Sequence, residues 1–116
     1  MRLEVLGGEL LYAVRVERAE GQFALCPAEA CASGVRFTPV TPSLELEREA
    51  LAVARAARLD LGGVECFVDR RTGEAVFYDI NALSNFVADA RRLLGFCPTA
   101  RLAEYLARRL RAAPRR

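Results

Sequence analysis

The segment GGVECFVDRRTGEAVFYDIN, residues 62 to 81, constrains the fold more than any other part of the chain. Two β-rich runs, Val64 to Asp69 and Glu74 to Ile80, flank Arg70-Arg71-Thr72-Gly73, which is the pattern of a β-hairpin. A three-residue loop Arg71-Thr72-Gly73, with glycine in the left-handed conformation after a type I turn, sets Arg70 opposite Glu74. Counting back along the antiparallel strands, Asp69 faces Ala75, Phe67 faces Phe77 and Glu65 faces Asp79, all on one side. The other side, Val64, Cys66, Val68, Val76, Tyr78 and Ile80, is almost wholly apolar and is expected to lie on a helix.

Two carboxylates directly opposite each other destabilise a strand pair by something like the roughly 0.2–1 kcal/mol that a good pair contributes. A cation would remove that cost. Asn81 lies two residues beyond Asp79 on the same face. Glu65, Asp79 and Asn81 together form an all-oxygen set suited to Mg²⁺ or Mn²⁺. The same acids also fit a plain solvated surface, or pairing with arginine, and spacing alone leaves both readings open.

The remaining segments follow the same logic. Leu3, Val5 and Leu6 lead to Gly7-Gly8, and Leu10, Tyr12, Val14 and Val16 then alternate with a period of two, which predicts a second hairpin. Glu17 to Pro42 carries no sustained period apart from a short strand pattern at Gln22 to Leu25, and is expected to be a long loop. Ser43 caps a helix whose Leu46, Ala50, Val53 and Ala57 form one apolar stripe, with Glu45, Glu47 and Glu49 near its positive end. Phe86 to Leu94 is predicted to be helical and to stop at Gly95. A last Arg-rich helix, 98 to 113, carries Leu102, Tyr105, Leu106 and Leu110. The order ββ, loop, α, ββ, αα makes the chain α+β, an antiparallel sheet with helices packed on one face.

With 116 residues, 53% of them hydrophobic and 28% charged, the chain has the composition of one globular domain. All 17 basic residues are arginine and histidine is absent, so no imidazole, Schiff-base lysine or P-loop lysine comes from this chain. The formal charge of +2 is too small to drive phosphate-backbone binding, and no aromatic platform interleaves the terminal arginines, so nucleic acid is not the expected partner. No run approaches the roughly eighteen apolar residues of a membrane span, and the expected location is cytoplasmic.

Gly63-Val64-Glu65, the turn, and Phe77-Tyr78-Asp79-Ile80-Asn81 resemble the closing motif of ATP-grasp ligases, particularly the RimK-like carboxylate–amine ligases typified by ribosomal-protein glutamate ligase. The resemblance implies that Glu65, Asp79 and Asn81 hold magnesium ions bridging ATP phosphates, with Asp79 standing where that family more usually has Glu. It also implies that Phe67 and Tyr78 contact adenine, as an aromatic floor suits a purine. Arg15 matches an Arg that often meets the transferred phosphate, and Ser84 stands where the family commonly has Pro.

Residues 2 to 94 then correspond to the C-terminal subdomain of an ATP-grasp fold, and the N-terminal half, with its lysines and glycine-rich lid, is absent from this sequence. The implied function is the ATP- and Mg-binding part of a ligase that joins an amino acid or peptide through an acyl phosphate, inactive without that other half in cis or trans. The competing reading is a non-catalytic remnant, an Arg-rich binding module or a homodimer formed through the uncovered site face. Cys26 and Cys31 are expected to be unbridged loop thiols. Thiol titration of the denatured, non-reduced chain should therefore count four, and a count of two would overturn the expectation of a reducing compartment.

Overall fold

The computed structural model describes residues 1–17 and 35–113. Strands β1 (Arg2–Leu6), β2 (Glu9–Glu17) and β3 (Arg36–Pro39) precede helix α1 (Leu44–Ala56). Strands β4 (Leu61–Val68) and β5 (Ala75–Asn81) follow, then helices α2 (Ala90–Leu94) and α3 (Pro98–Ala112). The five strands form one antiparallel sheet in the order β3-β2-β1-β4-β5. Strand β3 falls inside the segment expected to be a loop. It is only four residues long, ends in Pro39 and occupies an edge, where a missing N–H costs no ladder bond. The strand pattern at Gln22 to Leu25, together with Cys26 and Cys31, lies outside the described residues.

Alternation along the strands gives the sheet two faces, and each has its own core. Leu3, Val5, Ala13, Val64 and Cys66 pack against Leu46, Ala50 and Ala54 of α1. The predicted cap holds α1 in place, because the Leu46 amide donates to Ser43 Oγ at 3.2 Å, an interaction worth about 1 kcal/mol. On the opposite face Tyr12 and Val14 pack under Val87, with Phe86, Leu93, Leu94 and Phe96 around them. The helices thus divide between the two faces, α1 on one and the α2 segment on the other. Only Ala90–Leu94 of the predicted 86–94 helix is helical, and Gly95 in the left-handed conformation ends it as expected. Helix α3 is anchored where its Tyr105 ring lies against Gly7 in the β1–β2 turn.

The β4–β5 hairpin differs from the expected register in an instructive way. The Asp69 amide donates to the Glu74 carbonyl and the Gly73 amide to the Asp69 carbonyl, so the loop has four residues, Arg70 to Gly73. Val68 therefore faces Ala75, Phe67 faces Val76 and Cys66 faces Phe77, one residue away from the predicted pairing. A bulge between Glu65 and Cys66 then restores it, and Glu65 faces Asp79 as predicted. Because a one-residue slip exchanges faces, Phe77 turns towards the α1 core and Val76 to the other side, where both were expected the other way round.

Gly73 sits at φ 77° with nothing within 4 Å of where a Cβ would be, so only backbone strain opposes a side chain there. Gly73→Ala should lower unfolding free energy by about 1–2 kcal/mol in urea titrations, and Gly73→Asn by less. A neutral Ala variant would show that the loop does not need the left-handed conformation.

Candidate functional site

The site face of the sheet is built from two adjacent cross-strand rows. In one, Val14, Arg2, Glu65 and Asp79 stand side by side across β2, β1, β4 and β5. In the next, Tyr12, Glu4, Gly63 and Asn81 do so. All three oxygen donors singled out from the sequence therefore share one face. Asp79 is exposed, Asn81 is half-buried, and Glu65 is only 7% exposed. Asn81 Oδ1 accepts from the Leu83 amide at 3.0 Å, which fixes its carbonyl at the end of β5.

Tyr78 is the residue that the bulge inserts into β5, and its side chain joins Glu65 instead of the α1 face to which the register counted from the sequence assigned it. Its hydroxyl donates to Glu65 Oε2 at 2.7 Å. Its ring stacks on Phe67 with centroids 4.4 Å apart and planes 22° from parallel. The two aromatic residues expected to meet a purine thus lie together beside the carboxylates. Both are open to solvent, Phe67 at 59% and Tyr78 at 42%.

Arg15 is not part of this group. Val14 pairs with Arg2, so Arg15 next to it points to the face that carries Ala13 and α1, where it is exposed and pairs across to Thr38. Arg2 occupies the position beside Glu65 that Arg15 was expected to serve. It is 4% exposed, and its Nε donates to Glu4 Oε2 at 3.0 Å. The hydroxyl of Ser84 donates to the other oxygen of Glu4, which is fully buried. A Cβ on Gly63 would stand 2.8 Å from Arg2 Nε, so glycine there makes room for the guanidinium. Tyr12 completes the cluster; burial first, and then the charge of Glu4, push its hydroxyl up to about 12.

Two features of this cluster fit a metal–nucleotide phosphate. The Nη2 atom of Arg2 is buried and has no hydrogen-bond partner, an orphan donor that an anion would satisfy. The Glu65–Asp79 pair is a like-charge juxtaposition that a hard divalent cation would relieve, and all its donors are oxygen. Among the described residues no three Cys, Asp or Glu side chains converge as a closed metal cage. A cation held by Glu65, Asp79 and Asn81 would take its remaining oxygens from phosphate and water, the usual condition of magnesium. Cys66 and Cys97 are free thiols; burial pushes Cys66 up, while backbone amides at the start of α3 bring Cys97 down.

A five-stranded antiparallel sheet of this topology, with a helix crossing one face, is the fold of part of an ATP-grasp ligase. Among solved structures, the ATP-grasp ligase PsnB complexed with a minimal precursor matches with a TM-score of 0.67 and 15% identity, over 91% of this chain and 33% of that one. PsnB complexed with a phosphomimetic variant of the minimal precursor, Mg and ADP matches with a TM-score of 0.68 and 16% identity, over 91% and 32%. At such identity the likeness is one of fold, and the chain spans about a third of the length of these neighbours. No protein-family model matches the sequence, and neither does any curated protein. No helix among the described residues is long and apolar enough to cross a membrane.

The buried Arg2–Glu4 pair gave no signal in the sequence, since charges at alternate strand positions read as a solvated face. Removing one member should show that it is buried. Arg2→Leu should destabilise the chain by about 3–5 kcal/mol, because Glu4 is left without its counter-charge, and Arg2→Leu with Glu4→Leu should recover most of that loss. Urea denaturation of the three proteins decides it; a double variant as unstable as the single one would mean that packing volume, and not charge, sets the cost.

Proposed function

We propose that this chain is the C-terminal, nucleotide-holding part of an ATP-dependent carboxylate–amine ligase that works through an acyl phosphate on an amino-acid or peptide substrate. The observation that carries the reading is the register pair Glu65–Asp79, with Asn81 on the same face and the Phe67–Tyr78 stack alongside. Glu65, Asp79 and Asn81 would hold magnesium, which when bound neutralises phosphate charge and draws electrons from the transferred phosphoryl group. Phe67 and Tyr78 would form the floor under the purine. Arg2 replaces Arg15 as the cation of the site: its free Nη2 would donate to a phosphate oxygen, and Glu4, itself held by Ser84, accepts from its Nε and holds the guanidinium in place.

Several apolar side chains lie open at the β4–β5 end, among them Phe67, Val76 at 61% exposed and Leu83 at 77%. A second jaw closing over the nucleotide would cover them and exclude water from a reactive acyl phosphate. For this reason the chain alone should bind nucleotide weakly and show no ligation, and the partner we favour is the remainder of the grasp, in cis or in trans. The PsnB structures, complexed with a precursor and in one case with Mg and ADP, support this class of ligand.

Glu65→Gln and Asp79→Asn should each weaken magnesium-dependent ADP binding by about 10- to 100-fold in calorimetric titrations. Neither should melt below the parent in the absence of metal, because each substitution removes like-charge repulsion. Parental affinity in both variants would sink the assignment. A variant that unfolds would show instead that its carboxylate is a structural partner of arginine.

A further inference from the structure

Tyr78 touches both halves of the proposed nucleotide site with one side chain. The bulge places Tyr78 and Asp79 together opposite Glu65, and this brings the Tyr78 hydroxyl to Glu65 Oε2 at 2.7 Å. The same residue lays its ring on Phe67 at 4.4 Å. With the same loop and no bulge Tyr78 would still face Glu65, but Asp79 would turn to the α1 face, so only the bulge sets the phenol and both carboxylates on one side. A Leu or Phe would supply the apolar surface without the hydroxyl, so the phenol adds something that purine stacking does not require.

We propose that Tyr78 is a positioning residue whose hydroxyl holds the Glu65 carboxylate by Oε2 and leaves Oε1 to the divalent cation, while its ring completes the purine floor. The proposal rests on the magnesium–nucleotide reading above. A glutamate side chain has three rotatable bonds, and metal ligation needs one rotamer; a hydrogen bond to the oxygen that does not ligate selects it in advance. Glu65 is almost fully buried, so its second oxygen has little water to accept from, and the Tyr78 hydroxyl satisfies it. Asp79, by contrast, is exposed and one methylene shorter. A cation entering the site therefore meets one fixed carboxylate and one adaptable one.

Two substitutions separate the hydroxyl from the ring. Tyr78→Phe keeps the stack and removes the donor, and Tyr78→Leu removes both. Mn²⁺ affinity is measured from the paramagnetic resonance signal of the free ion, and ADP affinity is measured in EDTA, for the parent, these two variants, Glu65→Gln and the Tyr78→Phe/Glu65→Gln double variant. Tyr78→Phe should weaken Mn²⁺ binding about tenfold, and Tyr78→Leu should weaken it as well and lower ADP affinity in EDTA further than Tyr78→Phe does. Adding Tyr78→Phe to Glu65→Gln should cost nothing further, because the hydroxyl acts through that carboxylate. A melting temperature for Tyr78→Phe close to that of the parent without metal excludes a merely structural effect. Parental Mn²⁺ affinity in Tyr78→Phe, with the site still lost in Glu65→Gln, would overturn the proposal and leave the magnesium reading standing. A parent with no Mn²⁺ site that Glu65→Gln removes would overturn both.

Discussion

One extra residue in β5 decides what each face of this sheet carries. Side chains alternate strictly along a strand, so the four-residue loop at 70–73 by itself would have set Asp79 and Asn81 on the α1 face and Ile80 on the face of Glu65. The bulge at Tyr78 absorbs the extra residue. Beyond it Asp79 returns to the face of Glu65, Ile80 to that of Val64 and Asn81 to that of Gly63. Before it Phe77 and Ala75 turn towards α1, where they border the core. Bulges re-aim side chains next to functional sites, and here the re-aimed groups are the Asp79 carboxylate and the Asn81 amide.

The second determinant is the charge buried beside that pair. Arg2 and Glu4 sit at alternate positions of β1, a central strand, and residues 84–87 cover them: Ser84 bonds Glu4, and the Val87 amide donates to the Tyr12 hydroxyl at 3.3 Å. A buried ion pair rarely adds net stability over apolar residues of the same size. Its presence in a central strand, with an N–H left over, fits the phosphate-binding role proposed for Arg2. The α1 side shows the opposite economy, with only apolar side chains in its buried cluster. The α1 face is closed by apolar packing alone, and the other joins a second apolar cluster to charge that is left available.

The sequence made the apolar scaffold legible because each element had a local signal. Ser43 with the Leu46 and Ala50 stripe gave α1, Gly7-Gly8 gave the first hairpin turn, and Gly95 gave the stop after α2. Glu65 opposite Asp79 was also found, although by a count in which a loop one residue too short and an unseen bulge cancelled. Nothing local marks a bulge at Tyr78, so the faces of Val76, Phe77 and Tyr78 could not be read. Arg15 and Arg2 show the same limit: both are arginines on strands, and only the Arg2–Val14 register tells which one shares a face with Glu65. Strand β3 was missed because four residues ending in proline carry too little periodicity to stand out.

The central claim is that the sheet face carrying Glu65, Asp79 and Asn81 is a divalent-cation site. Crystals of the chain grown with Mn²⁺ and ADP test it most directly, by anomalous scattering at the manganese edge. The predicted result is a peak about 2.0–2.2 Å from a Glu65 Oε and an Asp79 Oδ oxygen, with phosphate oxygens completing the shell and the Arg2 guanidinium facing them. A manganese peak elsewhere, such as beside Glu45 and Glu49 on α1, with none between Glu65 and Asp79, would contradict it.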